Sequence, residues 1–197
     1  MPAIGITGGI ATGKSSFVRQ LRELSAGTIF DADVAARELP QSDPEARRLI
    51  VATFGPQAYL GSGDLNREYI RTIVFADPDK RRALEQILHP RIRRQWSEKA
   101  ERFRHSRDLF LADIPLLYET EGEKFCDRVV VVACAPEIQR TRLMNRMQLD
   151  GATADQMIAT QMPLPEKIGR ADHLVWNNGP ERALAEQARL LVEFWKN

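Results

Sequence analysis

Between Ile4 and Ser16 the chain reads Ile-Gly-Ile-Thr-Gly-Gly-Ile-Ala-Thr-Gly-Lys-Ser-Ser, an alternating apolar run leading into Gly8, four further residues and then Gly13-Lys14-Ser15. The spacing is that of G-x-x-x-x-G-K-[ST], and it restricts the fold sharply. Glycines at such positions let the backbone wrap so closely that successive amides converge on phosphate oxygens. Lys14 adds a point charge for β- and γ-phosphates, and Ser15 offers a hydroxyl to Mg²⁺. A strand-like run, Ala3 to Thr7, precedes the loop. The apolar spacing of Phe17, Val18, Leu21 and Leu24 predicts a helix from Ser15 to about Leu24, whose N-terminus would face the same anion. Gly8 to Ser16 are therefore the candidate binding residues for a nucleoside triphosphate. A glycine-rich turn with a chance lysine would lack both flanking elements.

Two further short strands carry aspartates at their ends. Thr28 to Asp31 leads into Asp31-Ala32-Asp33, and Leu109 to Asp113 is a buried-strand pattern. Val129 to Ala133 is the clearest strand of all, and Leu174 to Trp176 the last. Helical patterns separate them: Val34 to Leu39, Pro44 to Phe54 after an Asp43 cap, a stretch capped by Asn66, and one opened by Asp77-Pro78. His89-Pro90 is expected to interrupt this last helix. Later come Glu137 to Met147, a short helix capped by Thr153 with Gln156 and ended by Pro163 and Pro165, and Glu181 to Trp195. Strands alternating with helices imply an α/β fold with a doubly wound, mostly parallel five-stranded sheet. The Asp33 to Leu109 segment is too long and too helical for one crossover, and reads as an inserted substrate subdomain. The boundaries expected are a core of 1–38, 108–138 and 171–197, an insertion of 39–107, and a lid of 139–170.

In such a sheet ligands bind beyond the carboxyl ends of the strands. That rule selects the phosphate loop, Asp31, Asp33, Asp113, the Ala133 to Pro136 turn, and Asn177-Asn178. Carboxylates beside a triphosphate suit two tasks, accepting a proton from an attacking hydroxyl and holding Mg²⁺. Asp33 also suits a helix cap. Arg142 and Arg146 lie four apart on one helical face, placed to spread the charge of a transferring phosphoryl group or simply to meet solvent. The run Arg91, Arg93, Arg94, Lys99, Arg102, Arg104 and Arg107 reads first as a solvated helical face, the sharper alternative being that one or two of these arginines meet an anionic substrate.

Composition excludes other classes. Lys plus Arg number 28 against 27 Asp plus Glu in 197 residues, so no global field points to nucleic acid. Cys126 and Cys134 have neither redox nor zinc spacing, and His89, His105 and His173 show no ligand spacing. No signal peptide or membrane span is legible, so a cytoplasmic monomer or small homo-oligomer is expected.

Taken together, T-G-G-I-x-x-G-K-S (Thr7 to Ser15), D-A-D-x-x-A-R (Asp31 to Arg37), L-H-P-x-I (Leu88 to Ile92) and D-I-P-L-L-Y-E (Asp113 to Glu119) make the chain similar to the dephospho-CoA kinase family. The resemblance continues through E-x-Q-x-x-R-x-x-x-R (Glu137 to Arg146), Gln161, Glu166-Lys167, Ala171-Asp172 and N-N-G (Asn177 to Gly179). It implies ATP-dependent phosphorylation of the 3′-hydroxyl of dephospho-CoA's ribose, giving coenzyme A and ADP with Mg²⁺ present. It implies catalytic roles for Asp33, Lys14, Arg142 and Arg146, and places Asn177 with the nucleotide site. Asp33, Arg37, His89, Pro90 and Leu116 fall on the acceptor side, Ser15 and Asp113 on the metal. Ala11-Thr12 stand where many members read Gly-Ser, and Ser16 where they read Thr. Ala11 carries a Cβ, so it is expected at negative φ or under strain. A kinase for another acceptor, a nucleotide or shikimate, shares the loop and the fold; a GTP switch protein would need D-x-x-G and N-K-x-D motifs, which are missing.

Overall fold

A computed structural model describes residues 3–25, 27–104, 106 and 108–196. His105 and Arg107 of the stretches singled out above lie outside the described residues. The chain divides into two compact units, Met1–Asp31 with Ser97–Asn197, and Ala32–Trp96.

The first unit holds the sheet. Its strands are β1 (Ala3–Gly8), β2 (Thr28–Asp31), β3 (Phe110–Asp113), β4 (Arg128–Ala133) and β5 (His173–Trp176), in the order β2-β3-β1-β4-β5. All four pairings are parallel. Every residue of β1 and β3 is buried, as continuous apolar strands covered on both faces must be. Helix α1 (Lys14–Leu24) and the terminal helix α9 (Glu181–Lys196) close one face. Ile4, Ile6, Val130, Val132 and Val175 of the strands pack there with Phe17, Val18 and Leu21 of α1 and with Leu184, Ala188, Val192 and Trp195 of α9. Burying each large side chain of that set is worth about 1.5–3 kcal/mol. From β1 the chain leaves toward β2 on one side, whereas from β3 it leaves toward β4 on the other. The connections therefore reverse between the neighbours β1 and β3, and that crevice is the switch point of the sheet.

The second unit is helical: α2 (Ala32–Ser42), α3 (Pro44–Phe54), α4 (Arg67–Ala76) and the larger part of α5 (Pro78–Arg104). Asp43 caps α3 by accepting from the amides of Glu45 and Ala46, and Asn66 caps α4 by accepting from Tyr69. Helix α2 runs through Pro40 instead of stopping before it, and the Pro40 carbonyl accepts from the Tyr59 hydroxyl at 2.7 Å.

Two further expectations about helix boundaries are corrected. α5 continues through His89-Pro90. A proline inside a helix removes one donor and disturbs the carbonyls of the preceding turn. Arg91 Nη1 donates to the Ile87 carbonyl of that turn at 2.9 Å. The Thr153–Gln156 pair is not a cap either. Helix α7 (Gly151–Ala159) already begins at Gly151, because the Asp150 carboxylate accepts from the Thr153 amide at 2.8 Å. Helix α6 (Pro136–Met147) precedes it, and a further short helix, α8 (Leu164–Gly169), starts at the prolines that end the α7 region. No described helix is long and apolar enough to cross a membrane.

Candidate active site

The loop between β1 and α1 is built almost wholly from backbone. Gly13 is the N-cap of α1 at φ 93°, a left-handed conformation, and no side chain caps the helix. A Cβ at Gly13 would also run into the Asn177 amide. The first amides of an α-helix have no intrahelical acceptor. With no side-chain cap, those of Lys14, Ser15 and Ser16 are left for an anion, favoured further by the helix dipole. Ala11 sits at φ 60°, so its methyl is held in the strained region that sequence reasoning named as the alternative to negative φ. Conformations of this kind cost about 1–2 kcal/mol and persist where their surroundings over-determine them.

Those surroundings are explicit. Thr12 is fully buried, and its hydroxyl donates to the Gly9 carbonyl at 2.8 Å. Asn177, from the end of β5, donates its Nδ2 to the Thr12 carbonyl at 2.9 Å, and its own carbonyl accepts from Arg142 Nη1 at 3.0 Å. Gln139 of α6 donates its Nε2 to the Ile10 carbonyl at 2.9 Å, while Gln161, after α7, accepts from the Ile10 amide at 2.8 Å. Lys167 of α8 has no exposed side-chain surface. It pairs with Glu119 at 2.8 Å and reaches the carbonyls of Pro115 at 3.2 Å and Gly8 at 3.4 Å.

Across the switch point, Lys14 Nζ is ion-paired with Asp113. Asp113 is the last residue of β3, opposite Ile6 of β1 and Asp31 of β2 in register. The turn after it is stitched to β1, since the Ile114 amide donates to the Ile6 carbonyl at 2.9 Å and the Thr7 hydroxyl to that of Pro115 at 2.9 Å. Cys134, at the end of β4, is buried, and burial pushes its thiol up despite the neighbouring Arg142 guanidinium. It is kept as a neutral thiol there.

Of the site residues read from the sequence, the structure thus brings together Gly8 to Ser16, Lys14, Asp113, Asn177 and Arg142, with Leu116 in the turn after β3. Arg146 is exposed on α6. Asp33, Arg37, His89 and Pro90 belong to the Ala32–Trp96 unit. Asp33 is the second residue of α2 and stands inside its first turn, not at the position before the helix where the sequence suited a cap. Sequence reasoning assigned no role to Gln139, Gln161, Lys167 or Glu119. Their letters lie in the stretches that carry the resemblance, but a glutamine has no motif that announces a backbone partner far away in sequence. Among the described residues no group of three or more His, Cys, Asp or Glu side chains is placed to hold a metal ion. What the site offers includes the Asp113 carboxylate at the end of β3 and the Ser15 hydroxyl in the first turn of α1. A small all-oxygen set of this kind suits Mg²⁺, which keeps most of its waters and shares phosphate oxygens.

A family model described as dephospho-CoA kinase matches residues 2–182. A dephospho-CoA kinase of Anaeromyxobacter dehalogenans is 44% identical over 195 residues, covering 98% of this chain and 92% of that protein. One of Bacillus cereus is 37% identical over 193 residues, covering 98% and 96%. The solved dephospho-CoA kinase of Campylobacter jejuni shares the fold with a TM-score of 0.77 at 22% identity, over 98% of this chain and 96% of that one.

Proposed function

The chain belongs to the dephospho-CoA kinase family, and we propose that it transfers the γ-phosphoryl group of ATP to the ribose 3′-hydroxyl of dephospho-CoA at the switch point between β1 and β3. One observation carries the placement: the uncapped N-terminus of α1 and the Lys14–Asp113 pair meet across that crevice. The amides of residues 13 to 16 and the dipole of α1 receive the phosphates. Lys14, held beside the loop by Asp113, exchanges its carboxylate partner for phosphate oxygens when the nucleotide enters. Ser15 and Asp113 would hold Mg²⁺, which when bound neutralises charge on the phosphates.

The acceptor oxygen attacks the γ-phosphorus, the bond to the β-phosphate oxygen breaks, and ADP leaves. The hydroxyl proton passes to Asp33, which the family resemblance assigns as base. Arg142 and Arg146 counter the charge on the transferring group. Arg37, His89, Pro90 and Leu116 are assigned to the acceptor, and the Ala32–Trp96 unit to its recognition.

The test is ADP release with Mg-ATP and a panel of dephospho-CoA, nucleoside monophosphates, adenosine and shikimate. Turnover confined to dephospho-CoA, with a product of coenzyme A's mass, is the expected result. Turnover with another member of the panel would overturn the acceptor assignment and leave the phosphate loop standing.

A further inference from the structure

Three side chains from the second half of the chain donate to alternate carbonyls of the phosphate loop: Lys167 to Gly8, Gln139 to Ile10 and Asn177 to Thr12. In a trans peptide the carbonyl of one residue and the amide of the next point in opposite directions. Drawing carbonyls 8, 10 and 12 outward therefore turns the amides of Gly9, Ala11 and Gly13 to the other side of the loop. Ile10 is held most completely, because Gln161 takes its amide while Gln139 takes its carbonyl. The peptide that Gln139 grips is the one preceding Ala11, so its orientation goes with the strained φ of 60°. Residue 10 is also where both ends of the α6–α7 stretch meet, since residues 140–160 lie between the two glutamines.

We propose that Gln139 and Gln161 are positioning residues for the nucleotide, one a donor and one an acceptor, which hold Ile10 so that the Ala11 amide faces the phosphates. The proposal rests on the phosphate-loop reading above, and it assigns opposite chemistry to two residues of one type. The assignment does not depend on amide orientation, because a backbone amide can only donate and a backbone carbonyl can only accept.

The variants Q139E and Q161E separate the roles. Glutamate at 161 retains an acceptor for the Ile10 amide. At 139 it removes the donor and sets a carboxylate against a carbonyl. Both add the same charge to the same loop, so measurement at raised salt leaves the donor as the difference between them. Q139E should weaken ATP binding and raise KM for ATP by about tenfold, the loss of a buried hydrogen bond. Q161E should stay within about threefold of the wild type, and KM for dephospho-CoA should move less than about twofold in either. Q139M, matched in length and lacking the donor, should fall between the two and serves if Q139E folds poorly. Equal ATP affinities in Q139E and Q161E, or a Q139M that binds like wild type, would overturn the proposal. A wild-type chain that binds no ATP would instead overturn the reading on which it rests.

Discussion

Lys167 is where one side chain bears most on the site's stability. It is fully buried, its charge is met by Glu119, and its remaining protons reach two carbonyls, one of them at the root of the phosphate loop. Removing one partner of a buried pair leaves the other desolvated and uncompensated, at a cost of about 3–5 kcal/mol. Lys167→Met should therefore lower unfolding free energy by that order, and Lys167→Met with Glu119→Gln by less, as urea denaturation would show. Asp33 makes the opposite case. It is exposed in the first turn of a helix, so Asp33→Asn should cost no more than about 1 kcal/mol of stability, the range of an exposed polar interaction. Loss of a positioned base should nonetheless lower kcat by about 10²–10⁴-fold with ATP binding retained. Near-normal turnover would move the base elsewhere. The two residues also differ in how far sequence discloses them. The phosphate loop, Asp113 and Asn177 were legible because each stands at a strand end, a position that alternation of strands and helices reveals. The buried lysine and the glutamine bracket were not, because they depend on partners far away in sequence.

At the scale of elements, strands were read closely and helix ends less so. β2 matches its sequence bounds residue for residue, and β4 differs by one. Their β-branched runs are stopped by turn residues and admit few alternatives. Helix ends depend on which of several polar residues wins the terminal amides, and at α7 Asp150 wins over Thr153 because it lies one turn earlier. Pro90 shows the same limit, since a helix with enough turns on both sides outlasts one missing hydrogen bond. Caps that were read correctly can be tested. Asp43 accepts from two amides of α3 and lies 3.4 Å from the Arg91 guanidinium, all within the helical unit. Replacing it with alanine removes a cap worth about 1 kcal/mol and leaves the half-buried Arg91 without that carboxylate, so a loss of about 1–2 kcal/mol is expected. Thermal unfolding followed by far-UV circular dichroism would measure it. Asp43→Asn, which keeps the cap and loses the charge, should recover most of the difference. No recovery would place the effect on the ion pair.

For the molecule as a whole, most of the alkaline pH dependence should be set in the sheet-bearing unit, near the start of β4. Cys126 and Tyr118 lie there among Glu123, Asp127 and Asp172, with Arg170 stacked 4.3 Å from the Tyr118 ring centre. Burial, more than the nearby carboxylates, pushes the Cys126 thiol from 9.0 up to about 12. Burial likewise pushes the Tyr118 phenol from 10.0 up to about 12, with the Arg170 guanidinium pulling the other way. Both groups ionise in the unfolded chain before they ionise in the native one. Above their unfolded values the native state therefore binds more protons, and stability falls as pH rises. Their contribution is whole below about pH 9 and is lost progressively toward pH 12. The melting temperature should stay level from pH 7 to 8.5 and decline beyond, and in the native protein Cys126 should resist thiol reagents at pH 8.5, where a free cysteine reacts. Tyr118→Phe provides the control. The Tyr118 hydroxyl is buried and has no hydrogen-bond partner among the described residues, so removing it costs little at neutral pH. The variant should lose part of the alkaline decline while retaining dephospho-CoA turnover. An unchanged slope in Tyr118→Phe would remove Tyr118 from the account, and a slope unchanged also in Cys126→Ser would leave the decline to Cys134 and Tyr59, whose ionisation burial also pushes up.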